Sequence, residues 1–289
     1  MTSPDPLPRL LRPFARHPER SALLLDFDGA LAPIVADPDA ARALPEGLAA
    51  LERLLGRIGL VAVVSGRPVA FLQSVLPEAL LAARAGDPAT SPLVLVGQHG
   101  LERVVIGRRE VDPRVAPWRG AVAAAAGEAE AIRPEFVVER KGDIAVNLHW
   151  RRTPERAAEG EALGRRLAAT HGLSAVPMRM GVELRPPVPV DKGTVVAELA
   201  AGRHAALFAG DDHGDLAGFT ALDELVAAGR LDHALRVGVR SGEAPPALLE
   251  AADYQVDGPP GLAALLVGIA DTVGGFSGLS PPGRSDPEP

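Results

Sequence analysis

Leu23-Leu24-Leu25-Asp26-Phe27-Asp28-Gly29 is the stretch on which the reading of this chain turns. An unbroken apolar run has no polar face, which suits a strand covered on both sides by helices. Two aspartates follow it at once, and the glycine permits a sharp turn. Asp26 and Asp28 are two apart, so they project to the same side. In an open α/β sheet, ligands collect beyond the carboxyl ends of the strands, and both carboxylates fall there. Such a pair can divide the roles of nucleophile and acid/base. It also offers hard oxygens that suit magnesium. Taken alone, the stretch reads equally well as a strand followed by a solvated Asp-rich turn.

Working outward, residues 60–64, 93–96, 205–208 and 235–239 are further continuous apolar runs, and residues 22–27 contain the first. Helical patterns lie between them. Residues 45–56 place Leu48, Leu51, Leu54 and Leu55 at three- and four-residue spacing, and residues 191–201 open on Asp191, an N-cap type. This alternation predicts an α/β fold with a doubly wound, mostly parallel sheet. The middle of the chain differs. Residues 136–140 and 143–150 read as two strands around Lys141-Gly142, and the second alternates Ile144, Val146 and Leu148 with Ala145, Asn147 and His149. A helix then starts at Thr153-Pro154 and stops before Gly172, and strands follow at 173–178 and 182–185. Two strands, a helix and two strands, preceded by a helix, predict a small α+β unit with one open sheet face. The expected domains are an N-terminal extension over 1–20, a discontinuous core over 21–103 and 188–272, an inserted unit over 104–187 and a flexible tail over 273–289. Residues 1–8 and 274–289 read as loose ends.

Composition sets limits. The 289 residues are 47% hydrophobic but only 3% aromatic, so the core is built of Ala, Val and Leu. The net charge of -7, with no basic run, argues against nucleic acid as a partner. Cysteine is absent, which removes thiolate metal sites and disulfides. No apolar run reaches the length of a membrane span, and no signal-peptide core is visible. A soluble, cytoplasmic, monomeric protein is the expectation.

Three more stretches bear on chemistry. Ser65-Gly66-Arg67-Pro68 ends a strand just before a helix, where a hydroxyl and free amides can cradle phosphate. Val190-Asp191-Lys192-Gly193 puts a lysine at a helix start, where both the cation and the dipole favour an anion. Residues 207–215 run from a strand into Asp211, Asp212 and Asp215, three carboxylates that repel one another unless a cation or a lysine joins them. Each is common by itself. In this order, Asp-x-Asp-Gly, Ser-Gly-Arg, Lys and Gly-Asp-Asp resemble the four motifs of haloacid-dehalogenase-like phosphatases, whose members include some with an α/β cap inserted between the second and third motifs.

Further segments resemble the trehalose-6-phosphate phosphatases within that superfamily: Gly97-Gln98-His99-Gly100-Leu101-Glu102, Glu139-Arg140-Lys141, His149-Trp150-Arg151 and Gly181-Val182-Glu183-Leu184-Arg185-Pro186. The resemblance covers about residues 21–269. It implies hydrolysis of a sugar phosphate, trehalose 6-phosphate first among them, with Mg2+ as cofactor. Asp26 becomes the nucleophile and Asp28 the acid/base. The metal falls to Asp26, the Asp28 carbonyl and Asp211, and the phosphate to Ser65, Gly66 and Lys192. Asp212, Asp215 and Arg67 support them, and His99, Gly100, Glu102, Glu139, Lys141, His149, Arg151 and Glu183 face the sugar. For the acid role, Asp28 has to carry a proton in the closed site. His17, His171, His204, His213 and His233 show no ligand spacing and read as ordinary surface or structural residues, and Trp118 and Trp150 as packing.

The chain departs from the family pattern in three places. Ala30 stands where Thr is usual, Gly214 and Leu216 replace Thr and Glu of the acidic loop, and Pro187-Val188-Pro189 stands where a Gly is expected. Sucrose-phosphate, mannosyl-phosphoglycerate and glucosyl-phosphoglycerate phosphatases share the core motifs. A non-catalytic sugar-phosphate-binding regulatory domain is the rival of a different class, and retention of both Asp26 and Asp28 argues against it.

Overall fold

The computed structural model describes residues 6–81, 93–105, 107–178, 180–242 and 244–276. Its strands are β1 (Ser21–Leu25), β2 (Leu60–Val64), β3 (Leu93–Gly97), β4 (Glu102–Val105), β5 (Arg108–Val111), β6 (Val137–Lys141), β7 (Ala145–His149), β8 (Ser174–Met178), β9 (Gly181–Arg185), β10 (Ala205–Gly210), β11 (His233–Arg240) and β12 (Tyr254–Asp257). Its helices are α1 (Leu7–Arg16), α2 (Pro45–Leu54), α3 (Val69–Val75), α4 (Glu78–Leu81), α5 (Arg119–Ile132), α6 (Ala157–His171), α7 (Lys192–Ala200), α8 (Leu216–Ala227), α9 (Pro246–Ala251) and α10 (Gly258–Phe276).

Eight strands form one sheet in the order β12-β11-β10-β1-β2-β3-β4-β5. The six from β12 to β3 are parallel, and β4 and β5 extend the edge antiparallel. The apolar run of β1 serves two cores. Leu23 and Leu25 pack with Leu51, Leu54 and Leu262 on one face, while Ala22 and Leu24 pack with Val195, Val196 and Leu222 on the other. After Ser21, whose hydroxyl donates to the His17 carbonyl, β1 carries no polar side chain until the chain leaves the strand at Asp26. That is the physical reason the first charge on this strand belongs to the site.

The second sheet, β6-β7-β9-β8, is wholly antiparallel. Helices α5 and α6 cover one face of it, with Val122, Ala126, Leu163 and Leu167 against Val146, Leu148, Val182 and Leu184. Trp150 is buried in this cluster, and a Cβ on Gly160 would lie 2.4 Å from its ring. The opposite face is polar, and cross-strand register puts Glu139 beside Asn147 and Asn147 beside Glu183.

Several boundaries differ from the sequence reading. Residues 104–111, assigned there to the inserted unit, belong to the large sheet through β4 and β5. Short strands carry no signal of which sheet edge they join; that is settled by pairing with β3. The N-terminal extension is not loose from Leu7 onward, because α1 buries Leu11, Phe14 and Ala15. At the other end α10 runs on to Phe276, with Val273 buried, so residues 273–276 belong to a helix rather than to the expected tail. Residues 277–289 and 1–5 lie outside the described residues. Thr153 precedes a short 3-10 turn rather than α6 itself and makes no side-chain capping bond, and Gly172 closes α6 in the left-handed conformation, φ +67°. Three of the histidines read as unrelated stand in an edge-to-face row at the amino ends of the strands, with His17 and His204 rings 4.5 Å apart and His204 and His233 rings 5.0 Å apart. None of the described helices is long and apolar enough to cross a membrane.

Candidate active site

Asp26 leaves β1 still bound to the ladder, its N–H donating to the Ala209 carbonyl at 2.9 Å. Its side chain is buried past the carboxyl ends of β1 and β10. The chain then turns at Gly29, φ +85°, where a Cβ would lie 2.0 Å from Asp211 Oδ2. Only glycine lets this turn close over the end of β10.

Asp211 ends the apolar run of β10. Asp215 Oδ2 accepts the N–H groups of Asp211 at 3.0 Å and Asp212 at 3.1 Å, so the acidic loop folds around one buried carboxylate. Asp212 and Asp215 complete a capping box. Lys192, at the start of α7, donates to Asp26 Oδ1 at 2.7 Å and Asp215 Oδ1 at 2.7 Å, and lies 3.8 Å from Asp212. Asp191 caps that helix, accepting from the Thr194 N–H at 2.8 Å.

One ammonium cannot balance this many acids. Burial, with Asp215 and Asp212 nearby, pushes Asp211 up to about 7. Burial likewise pushes Asp215 up to about 6, and holds Asp26 well above the usual carboxylate range despite Lys192. Burial would lower Lys192, but Asp215 and Asp26 hold it well above its ordinary value. Ligand oxygens of Asp26, Asp211 and Asp215 lie within 4.8 Å of one another, the one such group of three among the described residues. Asp211 Oδ1 is buried with no hydrogen-bond partner. An orphaned anionic oxygen among converging hard ligands is the donor set of a divalent cation.

Beside this cluster, β2 ends at Ser65, whose Oγ accepts the Arg67 N–H at 3.1 Å. The segment 97–100 docks on the loop from below: His99 N–H donates to the Ser65 carbonyl at 3.0 Å and Gln98 N–H to the Arg67 carbonyl at 3.0 Å. It does so through three successive left-handed residues, Gln98 at +48°, His99 at +57° and Gly100 at +111°. Non-glycine residues hold such angles only where surrounding contacts over-determine them. The His99 ring leaves no room for a Cβ on Gly66, which would fall 2.7 Å from His99 Cε1. Burial pulls His99 down to about 4, so it stays neutral.

The polar face of the second sheet looks onto this loop. Lys141 Nζ donates to the Gly66 carbonyl at 3.0 Å and to Glu183 Oε2 at 2.8 Å, with both side chains buried. Against its burial, the charge and hydrogen bond of Lys141 hold Glu183 below its ordinary value. Glu139 Oε2 accepts from His149 Nε2 and Asn147 Nδ2, each at 3.0 Å, and the His149 bond leads in lowering Glu139 to about 2.

Not every residue named from the sequence joins this group. Glu102 is turned away: its Oε1 accepts from the Val69 N–H and Gln98 Nε2 at 3.0 Å, and its Oε2 from Arg109 Nε at 2.8 Å, beneath the start of α3. Gly100 is a packing position, since a Cβ would strike Val190 and Val195 at 2.5 and 2.6 Å. Arg151 stands exposed in the turn after β7. His213 is exposed in the acidic loop. Ala30 is wholly buried in the large core, so a threonine there would bury a hydroxyl. Three residues were missed. Asn147 shared the alternation with His149 and so carried a signal. Arg185, 3.8 Å from Glu183, is two residues along the same strand. Gln98, which donates to Glu102 and to the Lys141 carbonyl, had none.

Comparison with known proteins gives a consistent picture. Residues 24–258 match the family model described as trehalose-phosphatase. The trehalose-phosphate phosphatase of Mycobacterium marinum is 32% identical over 231 residues, 76% of this chain and 56% of that protein. That of Mycobacterium avium is 34% identical over 219 residues, 72% of this chain and 52% of that protein. The chain thus spans about half the length of the curated relatives it matches. Among solved structures, the C-terminal domain of C. albicans trehalose-6-phosphate phosphatase superposes with a TM-score of 0.68 at 23% identity, covering 94% of this chain and 98% of that one. A haloacid dehalogenase-like hydrolase from Bacteroides thetaiotaomicron gives 0.56 at 15% identity, over 86% and 99%. The fold is that of the haloacid-dehalogenase-like hydrolases.

Proposed function

Because this chain belongs to the trehalose-phosphatase family, we propose that it hydrolyses trehalose 6-phosphate to trehalose and phosphate through an aspartyl-phosphate on Asp26, the last step of trehalose synthesis. The observation that carries the reading is the buried Lys192 bridge between Asp26 and Asp215, set against the orphaned Asp211 Oδ1. Such an arrangement is costly for stability alone and suits a site that receives both a dianion and a cation.

Asp26 attacks phosphorus with its carboxylate. Asp28, as acid, protonates the departing sugar oxygen and, as base, takes a proton from the water that cleaves the aspartyl-phosphate. Ser65 and the Gly66 amide hold phosphate oxygens, and Lys192 offsets the charge gathering on them and on Asp26. Asp215 holds Lys192 in place, and Asp212 adds to the field. Mg2+ held by Asp26, Asp211 and the Asp28 carbonyl would shield the carboxylate from the phosphate dianion and polarise the phosphoryl group. The unit built on β6 to β9 acts as a cap. Glu139, Lys141, His149 and Glu183 offer hydrogen bonds to sugar hydroxyls, and His99 sits where cap, phosphate loop and Lys192 meet. Arg151 reaches the sugar only if the turn after β7 moves. We place the activity in the cytoplasm, on a monomer.

Phosphate release from trehalose 6-phosphate, glucose 6-phosphate, sucrose 6-phosphate and an aryl phosphate, each with magnesium, tests the reading. Preference for trehalose 6-phosphate is expected. Turnover of none of the four would leave the non-catalytic alternative standing.

A further inference from the structure

Asp28 and Arg67, 39 residues apart, form a fork-to-fork pair in which Nε donates to Oδ2 at 2.8 Å and Nη2 to Oδ1 at 2.9 Å. Two further contacts hold the guanidinium, and two hold the main chain. Nη2 also donates to the Pro38 carbonyl at 3.0 Å, the guanidinium carbon lies 4.5 Å over the Phe71 ring, and the Arg67 backbone is pinned at both its N–H and its carbonyl. Arg67 is thus clamped from the main chain to the tip, and its bidentate edge is committed to one carboxylate. Asp28 itself lies at the start of a tight turn whose own hydrogen bonds, Gly29 N–H to Ala32 O at 2.7 Å and Ala32 N–H to Phe27 O at 2.8 Å, are all backbone. The turn fixes where Asp28 begins; among the described residues, Arg67 is the side chain whose hydrogen bonds fix where its carboxylate points.

We propose that Arg67 is the positioning residue for Asp28: it does not hold phosphate, but sets the plane and reach of the carboxyl group that serves the leaving sugar oxygen and then the attacking water. This rests on the phosphatase reading above. In the first half-reaction the proton of the Asp28 carboxylic acid passes to the bridging sugar oxygen as the phosphorus–sugar oxygen bond breaks and the bond from Asp26 forms. In the second, the Asp28 carboxylate takes a proton from water as the water oxygen bonds to phosphorus and the Asp26–phosphorus bond breaks, which restores the acid. Both transfers need a carboxyl oxygen within hydrogen-bond reach of a particular oxygen, and reach is lost steeply with misplacement. The planar fork uses one lone pair on each Asp28 oxygen and leaves the other free. Lysine, a point donor, cannot set a plane.

The test separates leaving groups. A primary sugar alkoxide leaves only with a proton, whereas 4-nitrophenolate departs unaided. Arg67→Gln and Arg67→Lys are assayed with magnesium on trehalose 6-phosphate and on 4-nitrophenyl phosphate. The expected result is a kcat/KM on the sugar phosphate, which reports transfer to Asp26, lower by about a hundredfold, within the range attributed to a positioned acid, with kcat/KM on the aryl phosphate falling less than about tenfold, while kcat falls on both because hydrolysis of the aspartyl-phosphate is shared. Added to Asp28→Asn, Arg67→Gln should cause no further loss on the sugar phosphate, because its only route to the reaction is already gone. Equal losses in kcat/KM on both substrates would assign Arg67 to the phosphate and overturn the inference, as would additive losses in the double variant. Should Arg67→Gln prove unstable, Arg67→Lys, which keeps the charge and the stem over Phe71, carries the same comparison. A wild-type protein inert towards both substrates would instead defeat the phosphatase reading, and this inference with it.

Discussion

Lys192 Nζ lies 2.7 Å from Asp26 Oδ1, a fully buried bond between residues 166 apart in sequence. With Asp215 at the same distance on its other side, this lysine is the one side-chain cation hydrogen-bonded within the acidic cluster among the described residues.

Removing it should therefore cost both stability and turnover. Lys192→Met keeps the apolar stem and deletes the charge, leaving Asp26 and Asp215 facing each other without their shared donor. Breaking a buried pair from one side typically costs about 3–5 kcal/mol. Urea unfolding in chelator should show a loss of that order, and phosphate release should fall at least about a hundredfold. An unchanged unfolding midpoint would contradict the electrostatic picture of the site.

Asp26→Asn changes the same bond with a different outcome. The amide still accepts from Lys192 through its oxygen and preserves the volume, so the fold should remain intact by circular dichroism. The proposed nucleophile is gone, and turnover should drop by roughly a thousandfold or more. Residual activity within about tenfold of wild type would rule out a covalent intermediate on Asp26.

The legibility of this chain follows the range over which each signal acts. Strands β1, β2, β3 and β10 were readable because burial on two faces leaves an unbroken apolar run, and their carboxyl ends offered Asp26, Ser65 and Asp211 as candidates that only the order of the four motifs singled out. Edge elements were not. Strand β12 carries Tyr254, Gln255 and Asp257, with only Val256 buried, and β5 is almost wholly exposed, so neither has a pattern to detect. Side-chain direction was the other blind spot. Glu102 sits in a motif with His99, yet it is spent on the Val69 amide and Arg109, which a linear reading cannot see. The Arg67–Asp28 fork is likewise invisible, because nothing local to either residue names its partner.

Stability should report the burden on Asp211 in the metal-free protein. Its carboxyl is raised from an ordinary 3.8 to about 7 in the folded state, with burial the leading cause. A folded-state rise means the native protein binds the proton more tightly than the unfolded chain. That stabilisation is present below about pH 4 and lost as pH climbs towards 7. Asp211→Asn has no such dependence. In chelator its Tm should match wild type near pH 4 and exceed it by several degrees at pH 7.5. Saturating magnesium should reverse the order at pH 7.5, because only wild type keeps the Asp211 ligand. A variant no more stable than wild type at neutral pH in chelator would show that the Asp211 charge is compensated within the protein.

Divalent ions should not be interchangeable. Chelator should abolish activity and magnesium should restore it, while calcium restores little. Calcium takes more ligands at longer distances and accepts both oxygens of one carboxylate, which would engage the oxygen of Asp26 that must stay free to attack. Binding and catalysis are separable here: calcium should still raise Tm in a thermal scan while phosphate release stays low. Full activity in chelator would remove the metal from the reaction.

Glu183 offers the sharpest test of where substrate choice resides. The phosphate loop, Lys192 and the acidic cluster can recognise only what all phosphate monoesters share. On the proposed reading, discrimination falls to the polar face of the second sheet, where Glu183 and Lys141 are paired at 2.8 Å and Lys141 in turn reaches the Gly66 carbonyl. Glu183→Ala would strand a buried ammonium and confuse folding with recognition. Glu183→Gln keeps the shape and one acceptor for Lys141, and weakens only the charge-assisted bonds a sugar hydroxyl would use. If Glu183 reads the sugar, this variant should lose about tenfold to a hundredfold in kcat/KM on trehalose 6-phosphate. It should hydrolyse 4-nitrophenyl phosphate nearly as well as wild type, because Asp26, Asp28 and Lys192 are untouched. Were the Lys141–Glu183 pair only a strut between sheet and phosphate loop, its weakening would loosen the loop and depress both substrates together. Measuring both on one preparation, with Tm as the control for folding, distinguishes a sugar-reading residue from a structural one, and equal loss on the two substrates would take Glu183 out of the sugar site.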